Sequence, residues 1–166
     1  MVMKVKFKNK IFKIKPLALK NITSLYVKKT SNEFINYKKN TIRDQKNYVR
    51  KIRKEGNEIY EITNGKKLVA TSGFQFVKSK TFQGVLIVDP NFIGKGFAKY
   101  IILSSILYVN KTLGKNFFYV NIDKKNISSI KMCTGAGYRI YKRNKVCLKL
   151  FFNLNKNPNK IKIIIK

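Results

Sequence analysis

The sequence predicts a single α/β domain in which one mixed sheet carries helices on both faces. Segments with a two-residue alternation or a short apolar run, typical of strands, are interspersed with segments in which apolar residues recur every three to four positions, typical of helices. Their order is β-α-α-β-β-β-α-β-α-β-β, and a single sheet covered by helices accommodates that order. The length of 166 residues and the apolar content of 44% suffice for one domain with a buried core.

The N-terminal third is predicted to contain a strand region and two helices. Residues 4–15 alternate lysine with apolar residues, which fits two strands or one strand with an irregular start. Residues 17–26 have the spacing of a first helix. Thr41 and Asp44 form a capping-box pattern ahead of a second helix, which Gly56 is expected to end.

The rest of the chain is predicted to be strand-rich, with a long helix and a shorter one. Asn64-Gly65 is a strong hairpin signal between two strand-like segments. The predicted elements from here on are strands at 59–63, 68–77 and 82–88, a helix at 96–113, a strand at 116–122, a helix at 126–134, and strands at 138–141 and 146–152. Residues 1–152 are therefore predicted to form the domain, and residues 153–166 a basic tail that is an added strand or disordered.

The most informative segment is the glycine-containing turn that joins the predicted strand at 82–88 to the predicted long helix at 96–113. Glycine lets the backbone approach a phosphate closely, because no Cβ intervenes. The free N–H groups at a helix N-terminus, with the helix dipole, favour an anion at the same point. Gly94 and Gly96 therefore predict a site for a pyrophosphate-bearing cofactor.

Composition excludes several classes of site. The chain has no histidine, which rules out a Ser-His-Asp triad, a Cys-His pair and a histidine-ligated zinc. Two cysteines without metal-like spacing predict neither a metal site nor a disulfide framework, and favour a reducing compartment. No apolar run is long enough to span a membrane, and no signal-peptide pattern is present, so we expect a cytoplasmic protein.

The net charge of +30 predicts an anionic partner. The A/T-rich codons of Lys, Asn, Ile, Phe and Tyr, all abundant here, are an alternative source of much of the lysine content. Lysines that alternate with aromatic residues in 4–15 also fit a basic nucleic-acid-binding module. Against that module, no recognised nucleic-acid-binding motif is present and arginine is scarce relative to lysine.

Two motifs resemble the GNAT superfamily of acyl-CoA N-acyltransferases. Residues 93–98, Ile-Gly-Lys-Gly-Phe-Ala, resemble the family's Arg/Gln-x-x-Gly-x-Gly/Ala loop, with Ile93 in place of Arg or Gln. Residues 126–138 resemble its Asn-x-x-Ala-x-x-x-Tyr-x-x-x-Gly-Phe pattern, with Cys133 in place of the tyrosine. The resemblance implies a mostly antiparallel sheet of about six to seven strands, splayed between its fourth and fifth strands.

The resemblance also implies acetyl-CoA as the cofactor. The backbone of Leu86, Ile87 and Val88 would pair with the pantetheine amides like an added strand, and Asn126 would hydrogen-bond the pantetheine arm or act only as a helix cap. The pyrophosphate would be held by the backbone amides of the turn and the first helical residues, which are Gly94, Lys95, Gly96, Phe97, Ala98 and Lys99.

Catalysis would need a base for the attacking amine and an acid for the departing thiolate. Among seven carboxylates, Glu61, in a strand, and Asp123, just past the strand at 116–122, are the preferred bases. Cys133 occupies the position of the family's acid, and the alternative is a small buried residue on an amphipathic helix.

We therefore expect an acetyl-CoA-dependent N-acetyltransferase that acts on a small primary amine, as a monomer or a homodimer. The basic composition favours an anionic acceptor, and a loose similarity to bacterial amino-sugar acetyltransferases suggests a nucleotide-linked amino sugar. The alternatives are a protein or peptide amine as the acceptor, a member that binds coenzyme A without catalysis, and the nucleic-acid-binding module.

Overall fold

The computed structural model describes residues 1–23, 41–92, 95–157 and 159, and gives only the backbone of residues 85–88 and 90. The strands are β1 (Met3–Phe7), β2 (Lys10–Pro16), β3 (Glu58–Asn64), β4 (Lys67–Val77), β5 (Lys80–Val88), β6 (Phe117–Asp123), β7 (Arg139–Arg143) and β8 (Cys147–Asn153). The helices are α1 (Ile42–Lys54), α2 (Phe97–Leu113) and α3 (Ile127–Ala136).

The strands of the described residues form one sheet in the order β1-β2-β3-β4-β5-β6-β8-β7. Every neighbouring pair is antiparallel except β5 and β6, which are parallel. The predicted mixed, mostly antiparallel sheet is thus confirmed, but it has eight strands instead of six or seven. Residues 3–16 make two strands, because Lys8 adopts φ 53° and turns the chain back on itself.

Helices cover both faces, as predicted. On β3, Tyr60 and Ile62 point into the large core beneath α2 and α3, whereas Ile59 points to the opposite face and packs with α1. The strand period of two produces this division. In the described part of the chain, no helix combines the length and the apolar character needed to cross a membrane.

Helix α1 begins and ends where the sequence predicts. The Thr41 side chain accepts a hydrogen bond from the Asp44 N–H, and the Asp44 carboxylate accepts one from the Thr41 N–H, which completes a capping box. These bonds to the carboxylate hold the pKa of Asp44 below its usual value. After the helix, Gly56 has φ +77°.

The predicted first helix at 17–26 differs from the structure. Its described part contains only a 3-10 turn at Leu19–Asn21, and residues 24–26 lie outside the described residues. The buried carboxylate of Glu61 accepts hydrogen bonds from the Ala18 N–H and the Asn21 side chain. These bonds fix the segment against β3. In the predicted tail, β8 extends one residue beyond the expected boundary, to Asn153, and a 3-10 turn follows.

Candidate active site

A V-shaped gap between β5 and β6 is the main irregularity of the sheet. The two strands pair only through Thr81 with Phe118 and Phe82 with Tyr119. Beyond that point residues 83–88 stay near β4, while β6 continues along β8. The predicted splay between the fourth and fifth core strands is confirmed. In the structure these strands are numbered β5 and β6, because the N-terminal region contributes two strands.

A β-bulge explains why β5 leaves β6. Ser72 pairs with Leu86 but Phe74 pairs with Gln83, so β5 contains one residue more than β4 in this interval. Gly84 lies opposite Gly73, and a Cβ on Gly84 would approach the Gly73 carbonyl oxygen to 3.5 Å. A bulge bends the strand that carries it. Sequence reasoning missed this feature, although glycine inside a strand pattern is its known signal.

The edge of β5 that borders the gap offers unpaired backbone groups. Leu86, Ile87 and Val88 pair on one side with β4. On the other side, no strand of the described residues pairs with them. At 3.3 Å per residue, positions 83–88 span roughly 17 Å. An extended ligand with amide groups can therefore add to β5 as a strand does.

The N-terminus of α2 lies past the open end of the gap. Gly96 is its N-cap with φ +76°, and a Cβ there would meet nothing within 4 Å. The first helical hydrogen bond joins the Tyr100 N–H to the Gly96 carbonyl, so the amides of Phe97, Ala98 and Lys99 have no acceptor within the helix. No acidic residue occupies the first turn. These amides are oriented for an anion.

The other predicted loop residues contribute in different ways. Phe97 is fully buried, and its ring packs 4.5 Å from Phe92 and 4.8 Å from Phe12, centroid to centroid, which anchors the start of α2. Lys95 is exposed, and its ammonium donates to the Asn91 carbonyl. Gly94 lies outside the described residues.

Asn126 caps α3, which follows β6 at the same end of the gap. Its Oδ1 accepts a hydrogen bond from the Ser129 N–H at 3.0 Å. The amide nitrogen of this side chain is the group that can donate to a ligand. The N-termini of α2 and α3 thus follow the carboxyl ends of the two strands that border the gap.

The thiol of Cys133 lies within the core under the sheet, only 3% exposed. Burial raises its pKa to about 12, because the interior disfavours the thiolate. At neutral pH the group stays protonated and is a weaker acid than an ordinary thiol. This environment fits the alternative of a buried structural residue, and the acid role stays a prediction.

The two predicted bases lie in different surroundings. Glu61 is fully buried on the α1 face of β3, with the Lys15 ammonium 3.3 Å away in addition to its bonds to residues 18 and 21. These contacts tie it to the segment after β2, two strands from the gap. Asp123 is exposed at the end of β6, beside the gap, and its Oδ1 accepts the Lys125 N–H at 2.7 Å.

A buried polar contact at the closed end of the gap was not predicted. The Tyr138 hydroxyl donates to Gln83 Oε1 at 2.6 Å, and Gln83 Nε2 donates to the Ser72 hydroxyl at 3.3 Å. Burial raises the pKa of Tyr138 well above its usual value, so the hydroxyl keeps its proton. The contact joins β5 to the second residue after α3, and the only sequence signal was a tyrosine following Gly137.

Among the described residues, no group of three or more His, Cys, Asp or Glu side chains is placed to hold a metal ion. The groups that the structure describes at the gap are backbone amides, one exposed carboxylate and buried polar side chains.

Solved structures share this fold. The spermidine N-acetyltransferase from Vibrio cholerae, in complex with CoA and spermine, is 13% identical with a TM-score of 0.73, over 87% of this chain and 96% of that one. A putative acetyltransferase from Salmonella typhimurium with its cofactor acetyl-CoA is 13% identical with a TM-score of 0.66, over 86% and 94%. The ribosomal-protein-S5-alanine acetyltransferase from Vibrio fischeri is 11% identical with a TM-score of 0.71, over 92% and 97%.

At the level of sequence, no protein-family model and no curated protein matches the chain. The structural similarity therefore establishes the fold, and the residues of the gap carry the argument about activity.

Proposed function

Because this chain has the fold of the GNAT N-acetyltransferases, we propose that it transfers the acetyl group of acetyl-CoA to the primary amine of a small molecule. The observation that carries the proposal is the gap between β5 and β6 with the free amides of α2 at its open end. The gap suits an extended pantetheine arm, and the amides suit a pyrophosphate. The two lie in the order in which coenzyme A presents these groups.

The residues around the gap would divide the binding of acetyl-CoA among them. The backbone of residues 86–88 would pair with the pantetheine amides, while the amides of residues 95–99 would hold the pyrophosphate. Asn126 would donate from its amide nitrogen to the pantetheine arm. In this arrangement the thioester lies toward the closed end of the gap, near the bulge at Gly84.

In the transfer, the neutral amine nitrogen bonds to the thioester carbonyl carbon, and the carbon–sulfur bond breaks. The amine loses a proton, and the thiolate of CoA gains one. Backbone N–H groups freed by the bulge would stabilise the negative charge that develops on the carbonyl oxygen. Asp123, exposed at the open end of the gap, and Glu61, enclosed two strands away, are the two candidate bases, and either would act on the amine through water.

The departing thiolate needs a proton donor. Cys133 is the predicted acid, but a thiol with a pKa of about 12 transfers its proton unfavourably to an ordinary thiolate, whose conjugate acid has a pKa of about 8.5. Water that enters the gap with the acceptor is the alternative donor. Turnover of Cys133→Ala across pH 6 to 9 decides between them, since unchanged rates would exclude Cys133.

The acceptor is proposed to be a small amine that also carries negative charge, because the chain has 30 more basic than acidic residues. A protein amine is the second candidate, and the similarity to a ribosomal-protein-S5-alanine acetyltransferase favours it. A panel of small amines and unacetylated peptides, assayed by release of free thiol from acetyl-CoA, distinguishes the two.

Calorimetry with acetyl-CoA tests the cofactor site. Gly96→Asn places a side chain where the pyrophosphate would lie, and asparagine tolerates the positive φ. Gly114→Asn is the matched control, because Gly114 has φ +65°, equally open surroundings, and lies at the other end of the same helix. We expect acetyl-CoA affinity to fall at least tenfold in Gly96→Asn and to stay within twofold in Gly114→Asn.

Two results would contradict the proposal. The first is the absence of heat with both acetyl-CoA and CoA in the wild-type protein. The second is an equal effect of the two glycine substitutions. Binding of nucleic acid with a steep salt dependence, in a protein that does not bind CoA, would instead favour the basic nucleic-acid-binding module.

A further inference from the structure

Four aromatic rings form a cluster on the sheet face opposite α2 and α3. Tyr119 is its centre, with ring centroids 5.6 Å from Phe82, 5.9 Å from Tyr141 and 6.4 Å from Phe151. Tyr141 and Phe151 also contact each other at 6.2 Å. These residues come from four neighbouring strands, and we call them the aromatic surface.

The aromatic surface is not part of the protein core. Tyr141 is 48% exposed, and the other three rings are partly exposed. Helix α1 packs on this side of the sheet, but over Ile59 of β3, and no described helix packs over the aromatic surface. Partly exposed rings that no described helix covers are available to a ligand.

The aromatic surface adjoins the gap. Phe82 and Tyr119 are the last pair that joins β5 to β6 before the strands separate. Beyond Tyr119, Asn121 and Asp123 lie on the same face of β6, and each is about 6.6 Å along the strand from the one before it. The rings therefore lie beside the closed end of the gap, and Asp123 lies about 13 Å further along β6, toward the open end.

Cations surround the rings. The Lys80 ammonium lies 5.6 Å from the centroid of Tyr119. Arg139 pairs with Phe151, and Lys149 pairs with Asn121, so both lie on this face. Asp123 is the sole carboxylate in strands β5 to β8, all of which the structure describes. The surface is therefore both aromatic and positively charged.

Aromatic rings and cations together favour some ligands of this surface over others. A second copy of the chain would bring an equally basic surface to this one, and a polycationic amine such as spermine would be repelled. A planar ring with phosphates gains from both features, since bases stack on aromatic side chains and phosphates are attracted to the cations. From β5 to β7 the surface measures roughly 14 Å across three strand spacings, which suits one nucleotide.

We propose that the aromatic surface binds the nucleotide portion of the acceptor, with the base on the exposed Tyr141 ring and the phosphates on the Lys80 ammonium, which lies over Tyr119. This inference rests on the proposed N-acetyltransferase activity and specifies its substrate class as a nucleotide-linked amine. The amine, at the far end of the acceptor, reaches the gap at its closed end, beside Phe82, where the thioester would lie.

The test is calorimetric titration of UDP and GDP into the wild-type protein, with and without saturating CoA. Uridine, which lacks phosphate, and ribose 5-phosphate, which lacks the base, are titrated in parallel. We expect saturable binding of at least one nucleoside diphosphate, and at least tenfold weaker binding of the two fragments. Because UDP is measured in both conditions, a failure of the CoA site does not hide the result.

Variants locate the site. We expect Tyr141→Ala and Lys80→Asn each to weaken nucleoside diphosphate binding at least fivefold. Lys8→Asn is the matched control, because Lys8 makes a similar cation–π contact with Phe7, at 5.8 Å, in the hairpin at the other end of the sheet. It should leave the affinity within twofold. Tyr141 and Lys80 are not in the core, so both variants should keep the wild-type circular dichroism spectrum.

Three outcomes would overturn the inference. One is no binding of either nucleoside diphosphate. Another is binding that Tyr141→Ala and Lys80→Asn leave unchanged. The third is binding of poly(U) through these residues at least a hundredfold tighter than UDP, which would make the surface a single-strand nucleic-acid site. Normal acetyl-CoA binding in the same samples would show that only the acceptor assignment had failed.

Discussion

Individual side chains at the gap owe their chemistry to burial. Cys133 and Tyr138 carry groups that could exchange protons, yet both are enclosed by the core and both have raised pKa values. Asp123 accepts a hydrogen bond from the Lys125 N–H and, unlike the other two, is exposed beside the gap. Solvent access, more than residue type, therefore decides which of these three side chains is available for proton transfer with a substrate.

The raised pKa of Cys133 predicts a loss of stability in alkali. The folded thiol titrates near 12 and the unfolded one near 9.0, so the folded state holds the proton more tightly between those values. The contribution of the buried thiol to the free energy of unfolding is fully present below pH 9 and is lost as the pH rises toward 12. At pH 10, one unit above the unfolded value, the loss is about 1.4 kcal/mol.

Urea unfolding of the wild-type protein and Cys133→Ala at pH 7 and pH 10 measures this effect. The free energy of unfolding should fall by about 1.4 kcal/mol more in the wild type than in the variant. Cys147→Ala, at the partly buried second thiol, is the control and should follow the wild type. Equal falls in wild type and Cys133→Ala would show that the thiol does not titrate in this way.

The bond between Tyr138 and Gln83 predicts coupling between two residues far apart in sequence. Tyr138→Phe removes the donor and leaves the buried amide oxygen of Gln83 without it, which costs about 1–3 kcal/mol of unfolding free energy. Gln83→Leu, combined with Tyr138→Phe, removes the side-chain amide whose oxygen has lost its donor. We expect the double variant to be more stable than the sum of the single effects by at least 0.5 kcal/mol, measured by urea unfolding.

At the scale of elements, the ends of helices and the bulge in β5 determine the site. The bulge directs β5 away from β6, and the glycine N-cap of α2 exposes the amides that follow. Neither feature depends on a catalytic side chain. Substitutions in elements that do not border the gap should therefore affect stability more than cofactor binding.

The capping box of α1 provides a prediction of that kind. Thr41→Ala removes the hydroxyl that accepts the Asp44 N–H and should reduce the free energy of unfolding by about 0.5–2 kcal/mol. Thr41→Ser keeps the hydroxyl and should cost less than half as much. Thermal unfolding measures both, and acetyl-CoA affinity should stay within twofold in each. Equal costs would indicate that the loss of the threonine methyl group, and not the cap, is responsible.

For the whole molecule, the charge of +30 predicts fast, salt-sensitive capture of polyanions. We expect the association rate of acetyl-CoA to fall at least tenfold between 20 mM and 500 mM NaCl, because the Debye length shortens from about 20 Å to about 4 Å. Acetyl-pantetheine, which lacks the phosphates, is the control ligand and should change less than twofold. Stopped-flow measurement of both ligands separates steering from general salt effects.

Much of the local structure could be read from the sequence. The long helix was expected at residues 96–113 and is found at Phe97–Leu113, because apolar spacing and a glycine at each end define it locally. Asn126 was expected to cap α3 and does so. Partners distant in sequence could not be read in this way. Glu61 looked available as a base, but its bonds to Ala18 and Asn21 join positions at least 40 residues apart.

The sequence by itself determined the order of the elements from Thr41 onward, the ends of their helices and the glycine turn ahead of α2, since each depends on residues within a few positions of one another. Only the tertiary structure decided which side chains are accessible. It buried Cys133, enclosed Glu61 and gathered Phe82, Tyr119, Tyr141 and Phe151 onto one open face. The physical reason is that burial and cross-strand contact depend on how the strands are arranged in space, which local sequence patterns do not encode.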